Sequence, residues 1–124
     1  MMIEGTCLCG AVRIEVAQAP ETVTSCNCSA CRRLGGIWAY YPPGQVRISG
    51  PTVGFIRHDL PDGEAPGLAL HHCPTCGCTT HWVALDPTLG RMGVNARLMA
   101  PEVLAAARLR RLDGADTWTY LDED

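Results

Sequence analysis

Eight cysteines fall into three tight clusters, Cys7-Leu8-Cys9-Gly10, Cys26-Asn27-Cys28-Ser29-Ala30-Cys31 and Cys73-Pro74-Thr75-Cys76-Gly77-Cys78. One or two residues between cysteines let both sulfurs turn toward a single point. A glycine after the second lets the chain turn beneath a bound ion without a Cβ in the way. A disulfide framework gains little from closing so short a loop, because the entropy it removes from the unfolded chain grows with loop length. The spacing therefore predicts zinc ligation.

Seven of these cysteines divide as four plus three. Cys7 and Cys9 with Cys73 and Cys76 make a four-thiolate site that ties the start of the chain to a distant hairpin tip. Such a site is structural, with no position left for a substrate. Cys26, Cys28 and Cys31 supply three thiolates from within six residues. Three protein ligands and one open position is the arrangement of a reactive zinc. The same triad closed by Cys78, His71, His72 or His81 would be a second structural site, and spacing leaves both readings open. Three thiolates outweigh the charge of Zn²⁺ by one, which Arg32 and Arg33 beside Cys31 would offset while clamping a carboxylate-bearing ligand. Trp38, Tyr40 and Tyr41 follow closely enough to wall a pocket, or to serve as core.

The elements that must position these groups read as short strands. Val12, Ile14 and Val16 alternate with Arg13 and Glu15, the period of a half-buried strand entered from the first cysteine pair. Thr22–Ser25 is a short β-prone run delivering the second cluster, which itself reads as a loop or single helical turn stopped by Gly35 and Gly36. Ile37–Tyr41, Val46–Ser49 and Val53–Arg57, each bounded by Pro or Gly, read as consecutive antiparallel strands. Leu68–His72 and Thr79–Leu85 read as a hairpin with the third cluster at its tip, and Met92–Ala96 as another strand. Pro101–Ala106 has Pro at a first helical position and an early acid, which predicts one short helix. Leu109 and Leu112 beyond it suit a continuing helix or a strand.

The 124 residues predict one domain spanning 1–124. Hydrophobic residues make up 47% but aromatic ones only 6%, and 13 Gly with 9 Pro favour many short elements joined by turns, hence a mainly β body. The net charge of −3, with arginine the only basic residue type, argues against a nucleic-acid partner. The chain shows no secretory start and no membrane-length apolar run, so a cytoplasmic protein with free thiols is expected. Exposed sheet edges allow a homodimer without requiring one. No phosphate loop, dinucleotide fingerprint or nucleophile elbow is present.

With these residues in hand, the chain resembles the glutathione-dependent formaldehyde-activating enzyme and centromere protein V family over nearly its whole length. The resemblance rests on Gly5-Thr6-Cys7-Leu8-Cys9-Gly10-Ala11-Val12, on Cys26-Asn27-Cys28-Ser29-Ala30-Cys31-Arg32-Arg33 followed by Gly35-Gly36, and on Cys73-Pro74-Thr75-Cys76-Gly77. It implies small antiparallel sheets organised around zinc, the β-tent fold. It also implies two Zn²⁺ per chain: a structural ion on Cys7, Cys9, Cys73 and Cys76, and a more labile one on Cys26, Cys28 and Cys31 at the active site. Arg32, Arg33 and Trp38 are the candidate substrate-binding residues. The implied activity is carbon–sulfur bond chemistry of the lyase or synthase type, joining a thiol such as glutathione to formaldehyde or another small aldehyde. The alternative is a non-catalytic zinc module that binds a small ligand or a protein partner. Asn27 stands where the family often has His, and Cys78 is an additional thiol.

Overall fold

The computed structural model describes residues 2–123. Its strands are β1 (Ile3–Thr6), β2 (Arg13–Val16), β3 (Thr22–Cys26), β4 (Trp38–Tyr41), β5 (Val46–Ser49), β6 (Val53–Ile56), β7 (Leu68–His72), β8 (Thr79–Ala84), β9 (Met92–Asn95), β10 (Arg108–Leu112) and β11 (Tyr120–Leu121). Two short helices, α1 (Ser29–Leu34) and α2 (Pro101–Ala106), complete the set together with three single 3₁₀ turns. The fold is mainly β, as expected, and α2 occupies the predicted residues.

Alternation builds the smaller sheet. Val12, Ile14 and Val16 are fully buried while Arg13 is exposed, so β2 turns one face inward and pairs antiparallel with β1 and β5. Each such buried aliphatic side chain contributes roughly 1.5–3 kcal/mol. The larger sheet runs β11-β10-β3-β4-β9-β8-β7-β6. All its pairs are antiparallel except β10 with β3, which are parallel and align Leu112 with Cys26. An isolated bridge between Gly5 of β1 and Met99 ties the smaller sheet to the segment that follows β9. The core between the two sheets is Ile14 and Val16 from one side against Val23, Ala39, Tyr41 and Val94 from the other.

One expectation is corrected. β4, β5 and β6 are strands, but none of the three pairs with another of them: β4 lies between β3 and β9, β5 joins β2, and β6 joins β7. The 3₁₀ turn Pro43–Gln45 and the Gly50-Pro51 bend redirect the chain rather than reversing it in a tight hairpin. The sheets are therefore a three-stranded antiparallel sheet and an eight-stranded one containing a parallel pair. Of the two readings open for the segment with Leu109 and Leu112, the structure has the strand, because Ala107 is already extended (φ −80, ψ 147) and sends the chain from α2 into β10.

Candidate metal centres

Two tight turns bring Cys7, Cys9, Cys73 and Cys76 together. At the exit of β1 the Gly10 N–H donates to the Cys7 carbonyl at 3.1 Å, and after β7 the Gly77 N–H donates to the Cys73 carbonyl at 2.9 Å. Both glycines hold positive φ, +82 and +79, a conformation closed to most side chains. Backbone N–H groups then point at sulfur: Val12 to Cys7 Sγ at 3.3 Å and Thr75 to Cys73 Sγ at 3.4 Å. The four sulfurs lie within 4.8 Å of one another, with Cys9 3.7 Å from both Cys7 and Cys73. A tetrahedron of thiolates at a Zn–S distance of about 2.3 Å has edges of about 3.8 Å, so the spacing fits a metal ion. All eight cysteines are unbridged.

Electrostatics make the same demand. The Cys9 thiol accepts from the Ala11 backbone, yet desolvation and the three neighbouring thiols push it up to about 12. Cys76, which takes backbone hydrogen bonds from Cys78 and Cys9, is drawn down to about 5. Four sulfurs this close cannot all ionise without a cation among them. Cys78 belongs to this end of the molecule, where its sulfur accepts the Leu8 N–H at 3.4 Å.

The second cluster converges through a helix start. Cys26 ends β3, Cys28 is the N-cap of α1, and Cys31 lies in its first turn, with the Cys31 N–H donating to Cys28 Sγ at 3.3 Å. The helix stops at Gly35, whose N–H closes on the Cys31 carbonyl at 2.9 Å. The three sulfurs again lie within 4.8 Å of one another, and among the described residues no fourth Cys, His, Asp or Glu atom shares that spacing. Hydrogen bonds from the Cys26 and Cys31 thiols hold Cys28 down to about 2, and the same contacts hold Cys31 far up. The donor set fits a cation with one position left for another ligand. Trp38 donates its indole N–H to Cys31 Sγ at 3.4 Å.

This triad opens onto a cavity of about 360 Å³ walled by Trp38, Tyr40, Trp82 and Trp118, with Arg57, Arg91 and Glu64 as its charged groups. Arg57 binds both oxygens of Asp59, at 2.8 and 2.9 Å, and the Ser29 hydroxyl at 2.7 Å. Its guanidinium is held above its usual pKa first by Asp59 and in smaller part by the Cys28 sulfur, which places a positive charge beside the triad. Arg91 lies over the Tyr40 ring, 4.7 Å from its centre.

The sequence profile of the glutathione-dependent formaldehyde-activating enzyme family matches residues 2–108. The chain belongs to that family. A protein of Halomonas elongata, provisionally named as such an enzyme, is 32% identical over 97 residues, covering 70% of this chain and 58% of that protein. The chain thus spans less than two thirds of that relative's length. The crystal structure of a Rhodobacter sphaeroides protein, a structural-genomics target, aligns with a TM-score of 0.65 at 28% identity, covering 86% of this chain and 99% of that one.

All seven cysteines assigned to the two sets lie within the stretch that matches the formaldehyde-activating enzyme family, and the structure brings them together as four and three. The candidate closing ligands lie elsewhere. His71 and His81 stack on each other, 4.5 Å between ring centres, and each Nδ1 pairs with a threonine hydroxyl. The two arginines next to Cys31 lie away from the triad cavity. Arg32 is exposed and lines no part of the triad cavity, and Arg33 donates to the Ser29 carbonyl at 2.9 Å and lines an adjoining outer groove. At about 100° per residue, a helix that turns Cys31 inward carries the next two side chains away. Trp38 does line the cavity.

Sequence reasoning missed Arg57, Arg91, Trp82 and Trp118 in this wall, and the part played by Asn27. The Asn27 amide donates to Asp113 Oδ1 at 3.0 Å and accepts the Ala115 N–H at 2.9 Å, clasping the loop between β10 and β11. An Asx residue between two ligating cysteines, followed far along the chain by an Asp-Gly turn, is the one signal that could have suggested the clasp.

Proposed function

We propose that this family member is a zinc-dependent carbon–sulfur bond enzyme, working as one unit in the cytoplasm, that joins a small thiol such as glutathione to formaldehyde or another small aldehyde. The single observation that carries this reading is the cysteine triad at the wall of an aromatic, arginine-bearing cavity with no fourth protein ligand beside it. In it, Cys26, Cys28 and Cys31 hold the reactive zinc, and Cys7, Cys9, Cys73 and Cys76 a structural one.

Such a zinc, when bound, supplies a lowered thiol pKa and a positive charge near the aldehyde oxygen. The rest falls to the chain. Arg57 offsets the surplus negative charge of three thiolates, and Trp38 orients Cys31 through its indole N–H. Arg91 faces the carboxylate of an incoming thiol, while Tyr40 and Trp82 keep water from the cavity wall. The reaction balances without a further reagent. Sulfur bonds to the carbonyl carbon, the carbonyl π pair becomes a hydroxyl, and the proton lost by the thiol equals the one gained by oxygen. Holding both reactants side by side is the main gain, since it makes a bimolecular step effectively unimolecular.

The test is metal analysis followed by cobalt substitution. Two metal ions per chain are expected, and glutathione is expected to shift the visible bands of the cobalt protein, a shift absent from Cys31→Ser. A spectrum indifferent to glutathione would sink the enzyme reading and leave a zinc module that binds through its cavity.

A further inference from the structure

All three tryptophans of the chain line the one cavity beside the cysteine triad. Two of them are buried, but Trp118 leaves 66% of its surface exposed. It is also held in an unusual conformation, with φ +58, in the left-handed region that bulky residues avoid. Strain of that kind persists only where the surroundings enforce it, and it collects at ligand sites. Here the enforcement is visible. Trp118 N–H and Asp113 N–H close the 113–119 loop on itself at 2.8 Å each, and Thr117 hydrogen-bonds the Asp113 carboxylate at 2.9 Å. Asn27, between two triad cysteines, clasps the same loop at both Asp113 and Ala115. Gly114 packs directly on the Cys26 sulfur.

The loop therefore presents a large, water-exposed indole beside the triad, and it lies outside the stretch, residues 2–108, that the family shares. The charged groups of the cavity add a second feature. Arg57 is already paired with Asp59, whereas Arg91 has no carboxylate within salt-bridge distance among the described residues.

We infer that the cavity selects a thiol carrying a flat aromatic group and a carboxylate, with the ring covered by Trp118, the carboxylate met by Arg91 and the sulfur directed to Cys26, Cys28 and Cys31. The inference rests on the proposed function for the thiol and adds the substrate class. Trp118 is then the specificity-determining residue, and Asn27 a positioning residue that acts through it. A ligand ring laid on the indole would remove from water the apolar surface that the fold leaves exposed.

The test is calorimetric binding of 4-mercaptobenzoate and 3-mercaptopropionate to the zinc-loaded protein and to its Trp118→Ala and Trp118→Phe variants, with benzoate as the control lacking a thiol. An aromatic thiol is more acidic in every variant alike, so the readout is the change in the ratio of the two affinities. The ratio is expected to fall about fivefold in Trp118→Ala and to stay within about twofold of the parent in Trp118→Phe. Asn27→Ala is expected to lower it as well. An unchanged ratio in Trp118→Ala, or no binding of either aromatic probe, overturns the inference. Failure of the thiol reading looks different: benzoate binds as tightly as mercaptobenzoate, still dependent on Trp118, and mercaptopropionate does not bind.

Discussion

Trp38 gives its indole N–H to the sulfur of Cys31 across 3.4 Å, from a ring that is 1% exposed. A buried donor fixed in this way favours the thiolate over the thiol and fixes the direction from which the sulfur presents its lone pairs. Trp38→Phe keeps most of the packing and removes the donor. The affinity of the triad for zinc is expected to fall about fivefold, the equivalent of one hydrogen bond of about 1 kcal/mol. Competition with a chromophoric chelator checks this, with the four-cysteine site as internal reference; equal affinities in the two proteins would refute it.

Cys76→Ser and Cys31→Ser are expected to diverge. The four-cysteine site joins the exit of β1 to the turn after β7, so its loss unfastens segments far apart in sequence. Cys76→Ser is expected to cost at least about 3 kcal/mol, a large share of the stability of an ordinary domain. Cys31→Ser acts within one short helix and is expected to cost about 1 kcal/mol while abolishing thiol binding. Thermal melts together with cobalt spectra separate the two, and similar melts would undo the division into structural and reactive sites.

Gly114→Ala places a methyl group against the Cys26 sulfur and the Cys28 Cβ. Either the sulfur or the loop must move. Metal affinity at the triad is expected to drop about ten- to a hundredfold, the usual cost of disturbing the groups packed around a ligand set. Zinc at the four-cysteine site is expected to stay, so metal analysis after mild dialysis would read close to one ion per chain. Retention of two ions would show that the loop yields freely.

Acid stability depends on His81. Burial, with His71 stacked on it as a smaller cause, pushes His81 down from 6.5 to about 4. The unfolded chain thus takes up this proton near pH 6.5 and the folded protein only near pH 4. Stability is unaffected above that window, falls as pH drops through it, and loses nothing further below it. The expected loss is about 2–3 kcal/mol. His81→Phe removes the titration, and metal loss in acid is common to both proteins. Denaturant melts at pH 7 and pH 4 are therefore expected to show a smaller drop in the variant; equal drops would rule His81 out.

Much of the site was legible because cysteine ligation is local. Cys26, Cys28 and Cys31 converge through one strand end and one helical turn, and Cys7 with Cys9, like Cys73 with Cys76, through a turn closed by a glycine at positive φ. The buried face of Val12, Ile14 and Val16 and the helix at Pro101 were legible for the same reason, since each depends on residues a few positions apart. The pairing of β4, β5 and β6 was not, because the short Pro- and Gly-bounded runs that make them strands say nothing about partners.

By itself, the sequence determined that thiolates would gather in a set of four and a set of three, and that the body around them would be short strands. Spacing and alternation impose both within single turns of chain. Only the tertiary structure decided which charge and which rings face the triad. Arg32 and Arg33 adjoin Cys31 in the chain but are carried off by helical rotation. Arg57, Arg91 and Trp118 arrive from 26, 60 and 87 residues after Cys31 because sheet pairing and the Asn27 clasp bring their loops there. A ligand set can be made by neighbours in sequence, whereas a cavity needs walls on several sides, and those come only from distant segments folded against one another.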